Sequence, residues 1–498
     1  MKRRALFAAV VLLAVAAMGA RAQDAEVQGA SPVDASPVDA SPVEQVFEQL
    51  AGGAAPQVSA RLLSENGEAW RERWKVVAGV QRTLDWTCFE VGDDAFAASL
   101  MGLMARRARA GVTMRVLVDA KGSTRMLRSR VGQRWLKVLA ASGKVTVKLF
   151  NPVGSALVGN VLTPTNVVSA NHQKLLIADG SVVVMGGRNT ARDYLAPIDD
   201  CAKAWRDMDV VAGGAAAEAA RAVFERGFDS AVARAFPAGE ADPDDVKELD
   251  QITAAMEGWM NGTPVAKVPE GAEELAEYAH LKGALGRPDA SSAVTCPAFL
   301  LSKTAKVQAV ADGLTEHLRS LIAAARQEVV ITSPYVVLSP TARKLLKDAS
   351  ARGVKIVLHT NSPETTNSLV SQVPLYREWM DVLHESPNLR IFARRGESML
   401  HAKLYVIDRK VVVIGSYNLD SLSEQVNAED AIVLKSPELA AQVAAEIGRD
   451  LRQASEYRIK VAADGSVTPV FGPADACSPE IRRKLESFTV FAFLRPVL

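Results

Sequence analysis

The chain contains 498 residues, 48% of them hydrophobic and 23% charged, so it is long enough for two or three domains with full-sized cores. This composition excludes a predominantly disordered or fibrous protein. The formal net charge is +1, and without the four basic residues among the first 22 it becomes about −3 (1 − 4). This charge argues against an extended basic surface that binds nucleic acid.

The first 22 residues have the layout of a secretory signal peptide. Three basic residues at 2–4 precede an uncharged stretch at 5–20, and the small-x-small pattern Ala-Arg-Ala lies ahead of Gln23. Sixteen uncharged residues are short for a membrane-spanning helix, so cleavage is favoured, and a retained anchor is the alternative. We therefore expect an exported protein, either free or peripheral to a membrane; in a cell with two membranes, export would place it in the periplasm.

Residues 23–55 are predicted to form an extended tether. They contain the repeat SPVDASPVDASPVEQ at 31–45, which is rich in proline and small residues and cannot bury a core. From about residue 60 onward the pattern changes to alternating helix and strand.

This alternating pattern occurs twice. Buried strand patterns end at Asp119 in the first copy and at Asn361 in the second, each eight residues after a glycine, Gly111 or Gly353. The repeat predicts two α/β halves of one fold. The predicted map is a first half over 60–237, an acidic helical connector over 238–300, a second half over 301–460 and a C-terminal tail over 461–498.

Four cysteines lie far apart, and their spacing is not that of a metal site. In an exported protein they can pair in any of three connectivities, or they can remain free buried thiols. We predict neither a metal nor another cofactor. The cysteines are Cys88, Cys201, Cys296 and Cys477.

Two segments repeat one set of chemically active residues: HQKLLIADGSVVVMGGRN at 172–189 and HAKLYVIDRKVVVIGSYN at 401–418. In each, the apolar runs predict two strands of a hairpin with a turn at the aspartate. Because side chains alternate along a strand, the histidine and lysine point the same way, and the returning strand brings glycine and asparagine beside them. The first copy supplies His172, Lys174, Asp179, Gly186, Gly187 and Asn189, and the second supplies His401, Lys403, Asp408, Gly415, Ser416 and Asn418.

Two such hairpins facing each other would suit a phosphodiester. Phosphoryl transfer needs a nucleophile, an acid for the leaving alcohol, and positive charge around the non-bridging oxygens. Histidine can fill either of the first two roles near neutral pH, and lysines and asparagines can hold the oxygens without a metal. A single histidine on a strand is more often a hydrogen-bonded core residue, but the repetition of the whole set favours a catalytic role.

The duplicated His-x-Lys-x4-Asp motif resembles that of the phospholipase D superfamily over roughly residues 60–460. The stretches GGRNTARDYL at 186–195 and GSYNLDSLSEQVNAED at 415–430 look most like its bacterial cardiolipin synthase branch, particularly the exported type. That branch usually carries arginine where this chain has Leu422, so the preference for a lipid headgroup stays open.

The resemblance implies two α/β repeats, each with a central mixed sheet flanked by helices, that meet at one active site. It also implies a phosphohistidine intermediate, with His172 as the nucleophile and His401 as the acid/base. Among the carboxylates, Glu429 matches the family's partner of the second histidine. Asp207 is the matching candidate for the first, with Asp209 as second choice, and solvated strand-end acids are the alternative.

Asp179 and Asp408 belong to the motif, yet their turn positions and opposite strand parity predict a structural role. The expected function is a phosphatidyltransferase or phosphodiesterase acting on glycerophospholipids at a membrane surface, with a small alcohol, a second phospholipid or water as acceptor. A nuclease of the same superfamily is the alternative, followed by a non-catalytic lipid-binding module. The apolar end at 485–498 could contact a bilayer or pack on the core as a terminal strand or helix.

Overall fold

The computed structural model describes residues 41–152, 168–237, 239–263, 271–306 and 313–490, so the predicted signal peptide and most of the tether lie outside them. The predicted α/β class is confirmed. The elements up to the connector are α1 (Pro42–Leu50), β1 (Gln57–Leu63), α2 (Asn66–Gly79), β2 (Thr83–Cys88), α3 (Ala95–Arg109), β3 (Thr113–Asp119), α4 (Thr124–Arg128), α5 (Arg130–Ala140), β4 (Val145–Phe150), β5 (Leu175–Ala178), β6 (Val182–Gly186), α6 (Arg192–Leu195), β7 (Asp209–Gly213), α7 (Ala215–Phe228) and β8 (Ala233–Ala235).

The connector begins with one long helix and continues through three short 3-10 turns, after which the second half starts. The remaining elements are α8 (Pro243–Met260), 3-10 turns at Glu273–Glu277, Ala279–Leu281 and Ala284–Gly286, β9 (Val294–Lys303), α9 (Leu314–Ala324), β10 (Glu328–Thr332), α10 (Pro340–Ala351), β11 (Lys355–Asn361), α11 (Leu369–Glu385), β12 (Leu389–Arg394), β13 (Leu404–Ile407), β14 (Val411–Gly415), α12 (Ser421–Gln425), β15 (Glu429–Lys435), α13 (Pro437–Leu451), β16 (Ala454–Val461), β17 (Val467–Phe471) and α14 (Pro479–Phe488).

Each half is built on a mixed sheet with the same plan. The first sheet has the order β8-β4-β3-β2-β5-β6-β7-β1, in which only β2, β3 and β4 run parallel. The second has the order β15-β14-β13-β10-β11-β12-β16-β17, in which β10, β11 and β12 run parallel. Helices connect the parallel strands, because a parallel connection needs a crossover. The antiparallel hairpins β5–β6 and β13–β14 carry the two motifs.

Strand β9 joins the two sheets. Its first part, from Val294 to Pro297, pairs with β1, and its second part, from Ala298 to Lys303, pairs with β15. Apolar side chains of both hairpins also share one buried cluster between the halves, which includes Leu175, Ile177, Leu404 and Val406. The halves are therefore held face to face by a continuous strand and a common core.

The prediction of an extended tether over 23–55 is wrong for residues 42–50, which form α1. The helix begins with a capping box between Ser41 and Glu44, and its buried face is made by Val43 and Phe47, one turn apart. Glu44 and Glu48 form ion pairs with Lys410, at 2.7 Å, and Lys435 of the second half. The proline-rich repeat therefore ends in a docked amphipathic helix.

One other predicted boundary is also wrong. The connector is expected to be helical to residue 300, but β9 begins at Val294 because this stretch pairs with β1 and β15. The region from 461 takes the alternative of terminal elements packed on the core, because β17 pairs with β16 and α14 packs against α11. Leu485 of the proposed bilayer-contacting end is buried, whereas residues 491–498 lie outside the described part.

All four cysteines are free thiols. Within the described ranges, no helix combines the length and the apolar character needed to cross a membrane.

Candidate active site

The two motif hairpins turn at their aspartates. In each hairpin the two strands stay paired up to the residues beside the turn. The backbone then enters the left-handed region, with φ of 52° at Asp179 and 50° at Asp408. The carboxylate of Asp179 accepts hydrogen bonds from the backbone N–H groups of residues 81–83, and that of Asp408 does the same for residues 326–328, at 2.7–3.0 Å for the shortest bond to each N–H group. Each motif aspartate thus fixes the start of the first parallel strand of its half, at the end of the hairpin remote from the histidine.

Each histidine lies where its own half meets the other. The backbone N–H of His172 donates to Ala428 O at 2.9 Å, and that of His401 donates to Arg206 O at 2.7 Å. Single parallel bridges, Asn171–Ala428 and Arg206–Leu400, mark these two crossings. The residue that follows each acceptor carbonyl is a carboxylate, and this places it directly beside the histidine of the opposite half.

The carboxylate partners are therefore exchanged between the halves. Nδ1 of His172 lies 2.9 and 3.0 Å from the carboxylate oxygens of Glu429, and Nδ1 of His401 lies 2.7 Å from Oδ2 of Asp207. The expected pairing of Asp207 with His172 and of Glu429 with His401 is wrong. The physical reason is that the two halves are joined by these backbone bridges. Each bridge brings an acid of one half to the histidine hairpin of the other half.

Asp209, the second choice for the first histidine, has a different role. Its carboxylate accepts from the Arg188 backbone N–H at 3.1 Å and forms ion pairs with the guanidinium groups of Arg188, at 3.2 Å, and Arg73, at 2.9 Å. All three side chains are buried. Asp209 is therefore part of a structural ion network under the first hairpin.

The two imidazoles are neutral at neutral pH. Burial lowers the pKa of His172 to about 4, despite the opposing charge of Glu429. Burial, followed by the charge of Lys403, lowers the pKa of His401 to about 3. A carboxylate only accepts hydrogen bonds, so each neutral ring donates from Nδ1 and presents an unprotonated Nε2.

The carboxylates are held ionised. Burial alone would raise the pKa of Asp207, but the hydrogen bond from His401 and the charge of Lys403 bring it below its usual range. Burial would likewise raise the pKa of Glu429, but His172 and Lys174 lower it. The site therefore contains two anionic carboxylates that orient two neutral imidazoles.

Both motif lysines are buried beside the histidines. Nζ of Lys174 donates to the carbonyl of His172 at 2.5 Å, and Nζ of Lys403 donates to the carbonyl of His401 and lies 2.9 Å from Nε2 of that ring. Burial lowers the pKa of Lys174 and brings that of Lys403 to about 7, against the favourable charges of the neighbouring carboxylates. These ammonium groups can meet the oxygens of a bound phosphate.

The two motif asparagines have polar atoms without partners. Oδ1 of Asn189 accepts from the backbone N–H of Glu90 at 3.1 Å, but its Nδ2 is buried and has no hydrogen-bond partner among the described residues. Oδ1 of Asn418 is buried and unpartnered in the same sense. Unpaired buried polar atoms are costly, so these two atoms favour a hydrogen-bonding ligand.

The glycines of the motifs allow the hairpin backbone to lie close to the strands that carry the acids. A Cβ atom on Gly187 would lie 2.2 Å from Oδ1 of Asp207, one on Gly186 would lie 2.4 Å from Oδ1 of Asp209, and one on Gly415 would lie 2.1 Å from the Asp430 carbonyl. Ser416, at the position of Gly187, donates from Oγ to Glu429 at 2.5 Å. The two glycines of the first motif thus leave room for the carboxylates of Asp207 and Asp209, and Ser416 orients that of Glu429.

Sequence reasoning missed several residues that hold the histidines. Oδ2 of Asp119 accepts from the backbone N–H of Asn171 at 2.7 Å, and Oδ1 of Asn361 accepts from that of Leu400 at 2.8 Å. These N–H groups immediately precede the two histidines. The repeated spacing from glycine to Asp119 and Asn361 carries a signal for these two residues, although by itself it predicts only the alignment of the halves. Ser423, which donates to Glu429 at 2.8 Å, gave no such signal.

Aromatic rings flank both imidazoles and were also missed. The ring of Phe89 meets the His172 ring edge-on at 4.8 Å between centroids. On the other side, Tyr194 and Trp205 lie 5.0 and 5.2 Å from the His401 ring. These rings exclude water from the flanks of the imidazoles and help to explain their lowered pKa values.

The arrangement can therefore carry out in-line displacement at phosphorus, with one neutral imidazole attacking and the other exchanging a proton with an alcohol. Within the described part of the chain, no group of three or more His, Cys, Asp or Glu side chains is arranged to hold a metal ion.

The chain is similar to proteins described as cardiolipin synthases and to a phosphatidylserine synthase of known structure. Residues 318–451, which include the second motif, match the family model described as "Cardiolipin synthase, PLD-like domain". The chain is 25% identical to cardiolipin synthase C of Escherichia coli over 412 residues, or 76% of this chain and 81% of that protein. It is also 25% identical to cardiolipin synthase A of Pseudomonas aeruginosa over 397 residues, or 79% of this chain and 67% of that protein. The crystal structure of phosphatidylserine synthase from Haemophilus influenzae has the same fold, with a TM-score of 0.61 at 14% identity, covering 92% of this chain and all of that one.

Proposed function

Because the chain belongs to the phospholipase D superfamily and is an enzyme of the phospholipase D type, we propose that it transfers phosphatidyl groups of glycerophospholipids through a phosphohistidine intermediate. The observation that carries the proposal is the pair of imidazoles whose Nδ1 atoms are each held by a carboxylate of the opposite half. This arrangement leaves Nε2 as the atom of each ring that can react at phosphorus.

In the first step, Nε2 of His172 attacks phosphorus and the bond from phosphorus to the leaving alcohol breaks. The alcohol oxygen takes a proton from Nε2 of His401, which has become an imidazolium because the negative charge of the bound phosphodiester raises its pKa. His172 suits the role of nucleophile because its Nε2 makes no hydrogen bond to a described residue, whereas Nε2 of His401 lies beside the Lys403 ammonium.

In the second step, the incoming alcohol gives its proton to the now neutral Nε2 of His401 and its oxygen attacks phosphorus. The bond between phosphorus and His172 breaks, which regenerates the free imidazole. Water in place of the alcohol yields hydrolysis. Throughout both steps, Lys174 and Lys403 stabilise the charge that accumulates on the non-bridging oxygens.

A phospholipid substrate is supported by the cardiolipin synthases that resemble this chain. Leu422, which lies on α12 where that branch usually carries arginine, leaves the headgroup to be identified. The test incubates purified protein with labelled phosphatidylglycerol or phosphatidylcholine, with and without added glycerol, and identifies the products. We expect a transferred phosphatidyl product that depends on the added alcohol.

The intermediate is tested with the same labelled lipids. Rapid acid-free denaturation should trap label on the wild-type protein in an acid-labile, base-stable form, and His172→Ala should trap none. His280→Ala is the matched control, because this side chain is exposed and far from the motif hairpins along the chain. Cleavage of plasmid DNA without any turnover of either phospholipid would overturn the proposal in favour of a nuclease.

We further propose that the protein acts outside the cytosol, where membrane lipids are the accessible phosphodiesters. The support is the basic, uncharged and small-x-small order of the first 22 residues. Cell fractionation should recover a mature amino terminus at or near Gln23 in the periplasmic or membrane-peripheral fraction. Recovery of the full-length chain in the cytosol would contradict export.

A further inference from the structure

Glu90 and Tyr335 are one of the pairs of equivalent positions at which the two halves differ, and Glu90 lies beside the imidazoles. In each half, a valine pairs in a single parallel bridge with the residue that follows the motif asparagine, and Glu90 or Tyr335 immediately precedes that valine. These bridges are Val91–Thr190 and Val336–Leu419. The site is otherwise built from matching pairs of His, Lys and Asn, so this acid breaks its pseudo-symmetry.

Glu90 lies between the two aromatic flanks of the imidazoles. It directly follows Phe89, whose ring contacts that of His172, and its Oε2 accepts a hydrogen bond at 2.8 Å from the hydroxyl of Tyr194, whose ring contacts that of His401. Its backbone N–H donates to Oδ1 of Asn189 at 3.1 Å, which ties its position to the motif. Glu90 is therefore held at the side of the catalytic cluster.

One oxygen of the Glu90 carboxyl group is available to a ligand. Glu90 is half-buried, and its Oε1 makes no hydrogen bond to a described residue. Burial raises the pKa of Glu90, while the hydrogen bond from Tyr194 and the charges of Lys174 and Arg125 act in the opposite direction. A carboxyl group so close to a phosphate site disfavours the anionic substrate, so its presence there calls for a different ligand.

We propose that Glu90 and Tyr194 form the subsite for the acceptor alcohol, and that this subsite selects a neutral polyol of the glycerol type. One hydroxyl of the polyol gives its proton to His401 and attacks phosphorus, and a second hydroxyl donates to the free oxygen of Glu90. This inference rests on the proposed phosphatidyl transfer and names the class of its acceptor.

The charges of the site favour a neutral polyol over other alcohols. An acceptor with its own phosphate or carboxylate beside the hydroxyl would be repelled by Glu90. An acceptor with an ammonium group would be attracted by Glu90 but repelled by the buried cations Lys174 and Lys403. A simple monohydric alcohol lacks the second hydroxyl and leaves the carboxyl oxygen without a partner. Water lacks the same contact, so the subsite also favours transfer over hydrolysis.

The experiment measures competition between acceptors. Purified wild type and variants receive one labelled phospholipid together with glycerol and propan-1-ol at equal concentration, and the ratio of the two transfer products is determined. Hydrolysis without added alcohol is measured in parallel. In the wild type we expect glycerol to be preferred at least tenfold.

Glu90→Gln keeps the shape of the side chain but removes its charge, and a charge-assisted hydrogen bond is roughly twice as strong as a neutral one. We expect the preference for glycerol to fall about tenfold, while hydrolysis stays within about threefold of wild type. Tyr194→Phe removes the hydrogen bond that holds the carboxylate but keeps the charge, so it should lower the preference by a smaller factor than Glu90→Gln. Asp93→Asn is the matched control, since this nearby acid pairs with Arg125 instead and should leave both measurements unchanged.

Three results would overturn the inference. An unchanged preference in Glu90→Gln would show that the carboxylate does not contact the acceptor. An equal fall of hydrolysis and of both transfer reactions would show that Glu90 only supports the catalytic residues. In a second competition, between ethanolamine and glycerol, a preference of the wild type for ethanolamine that is lost in Glu90→Gln would show a subsite for an ammonium group. A wild type without any phospholipid turnover would instead refute the proposed function, and this outcome is recognised by the absence of both products.

Discussion

Replacing Lys403 by methionine should make the protein more stable while abolishing its turnover. The Lys403 side chain is 1% exposed, and its ammonium group lies among the two histidines and their carboxylates. Catalysis needs this charge next to phosphorus, whereas folding must remove it from water. Methionine has a similar volume and no charge, so it separates the two requirements.

The magnitude follows from the pKa of Lys403, which burial lowers from 10.5 to about 7. Each pH unit corresponds to about 1.4 kcal/mol, so the charged lysine costs the folded state about 5 kcal/mol below pH 7. Between pH 7 and 10.5 the unfolded chain binds the proton and the folded chain does not, so this cost declines as the pH rises and is about 2 kcal/mol at pH 9. Loss of the hydrogen bond to the His401 carbonyl costs methionine about 1–3 kcal/mol at every pH.

We therefore expect Lys403→Met to raise the free energy of unfolding by about 2–4 kcal/mol at pH 6 and to change it by between about −1 and +1 kcal/mol at pH 9. Urea denaturation at the two pH values measures the difference, and a fall in turnover of at least a hundredfold measures the loss of charge at phosphorus. Lys344→Met is the control, because that lysine is exposed on α10 and should change stability by less than about 0.5 kcal/mol. An equal change at both pH values, or a variant less stable than wild type at pH 6, would refute the argument.

Three further substitutions and one treatment test other parts of the site. Glu429→Gln should alter the NMR titration of His172 far more than that of His401, and the reverse result would contradict the exchange of partners between the halves. Asp408→Ala should cost about 2–4 kcal/mol of stability, measured by urea denaturation, because three backbone N–H groups lose their acceptor, while kcat of the folded fraction stays within about threefold. Asp119→Ala should lower kcat about tenfold or more, because the N–H group of Asn171 loses its acceptor, whereas Asp119→Asn should lower kcat less, since the amide oxygen can still accept but the NH2 group cannot replace the second carboxylate oxygen; equal kinetics of the two variants would exclude a positioning role. Phospholipid turnover should survive thorough treatment with EDTA, and a loss that one divalent ion restores would contradict a mechanism in which side chains supply the cations.

The hairpins were predictable because their signals are local. The runs LLIA and LYVI, each followed by an aspartate, became β5 and β13 with turns at Asp179 and Asp408. The repeat of the pattern also predicted two halves, and the structure brings the two motif histidines together at the junction of those halves. Short-range alternation and repetition are therefore sufficient to place the chemically active residues on their elements.

The partners of the histidines were not predictable in the same way. Glu429 lies 28 residues after His401 along the chain but contacts His172, which is 257 residues away. The pairing that the family resemblance implies could not be checked from the sequence, because sequence alone gives no register between strands of different halves. The helix α1 was missed for a related reason, since its two buried residues, Val43 and Phe47, follow directly on a proline-rich repeat and become informative only when the second half covers them.

Because the carboxylates are exchanged between the halves, a correctly oriented histidine requires that both halves are folded and docked. Each imidazole takes its backbone contact and its orienting acid from the opposite half, so neither half alone contains a histidine in its working tautomer. Docking of the halves through β9 and the shared core completes both catalytic units at the same moment. This symmetric construction does not itself decide which side of the phosphorus receives the acceptor. Residues without a matching counterpart, such as Glu90 opposite Tyr335, must supply that direction, and for this reason the acceptor is expected to enter on the side of Tyr194 and His401.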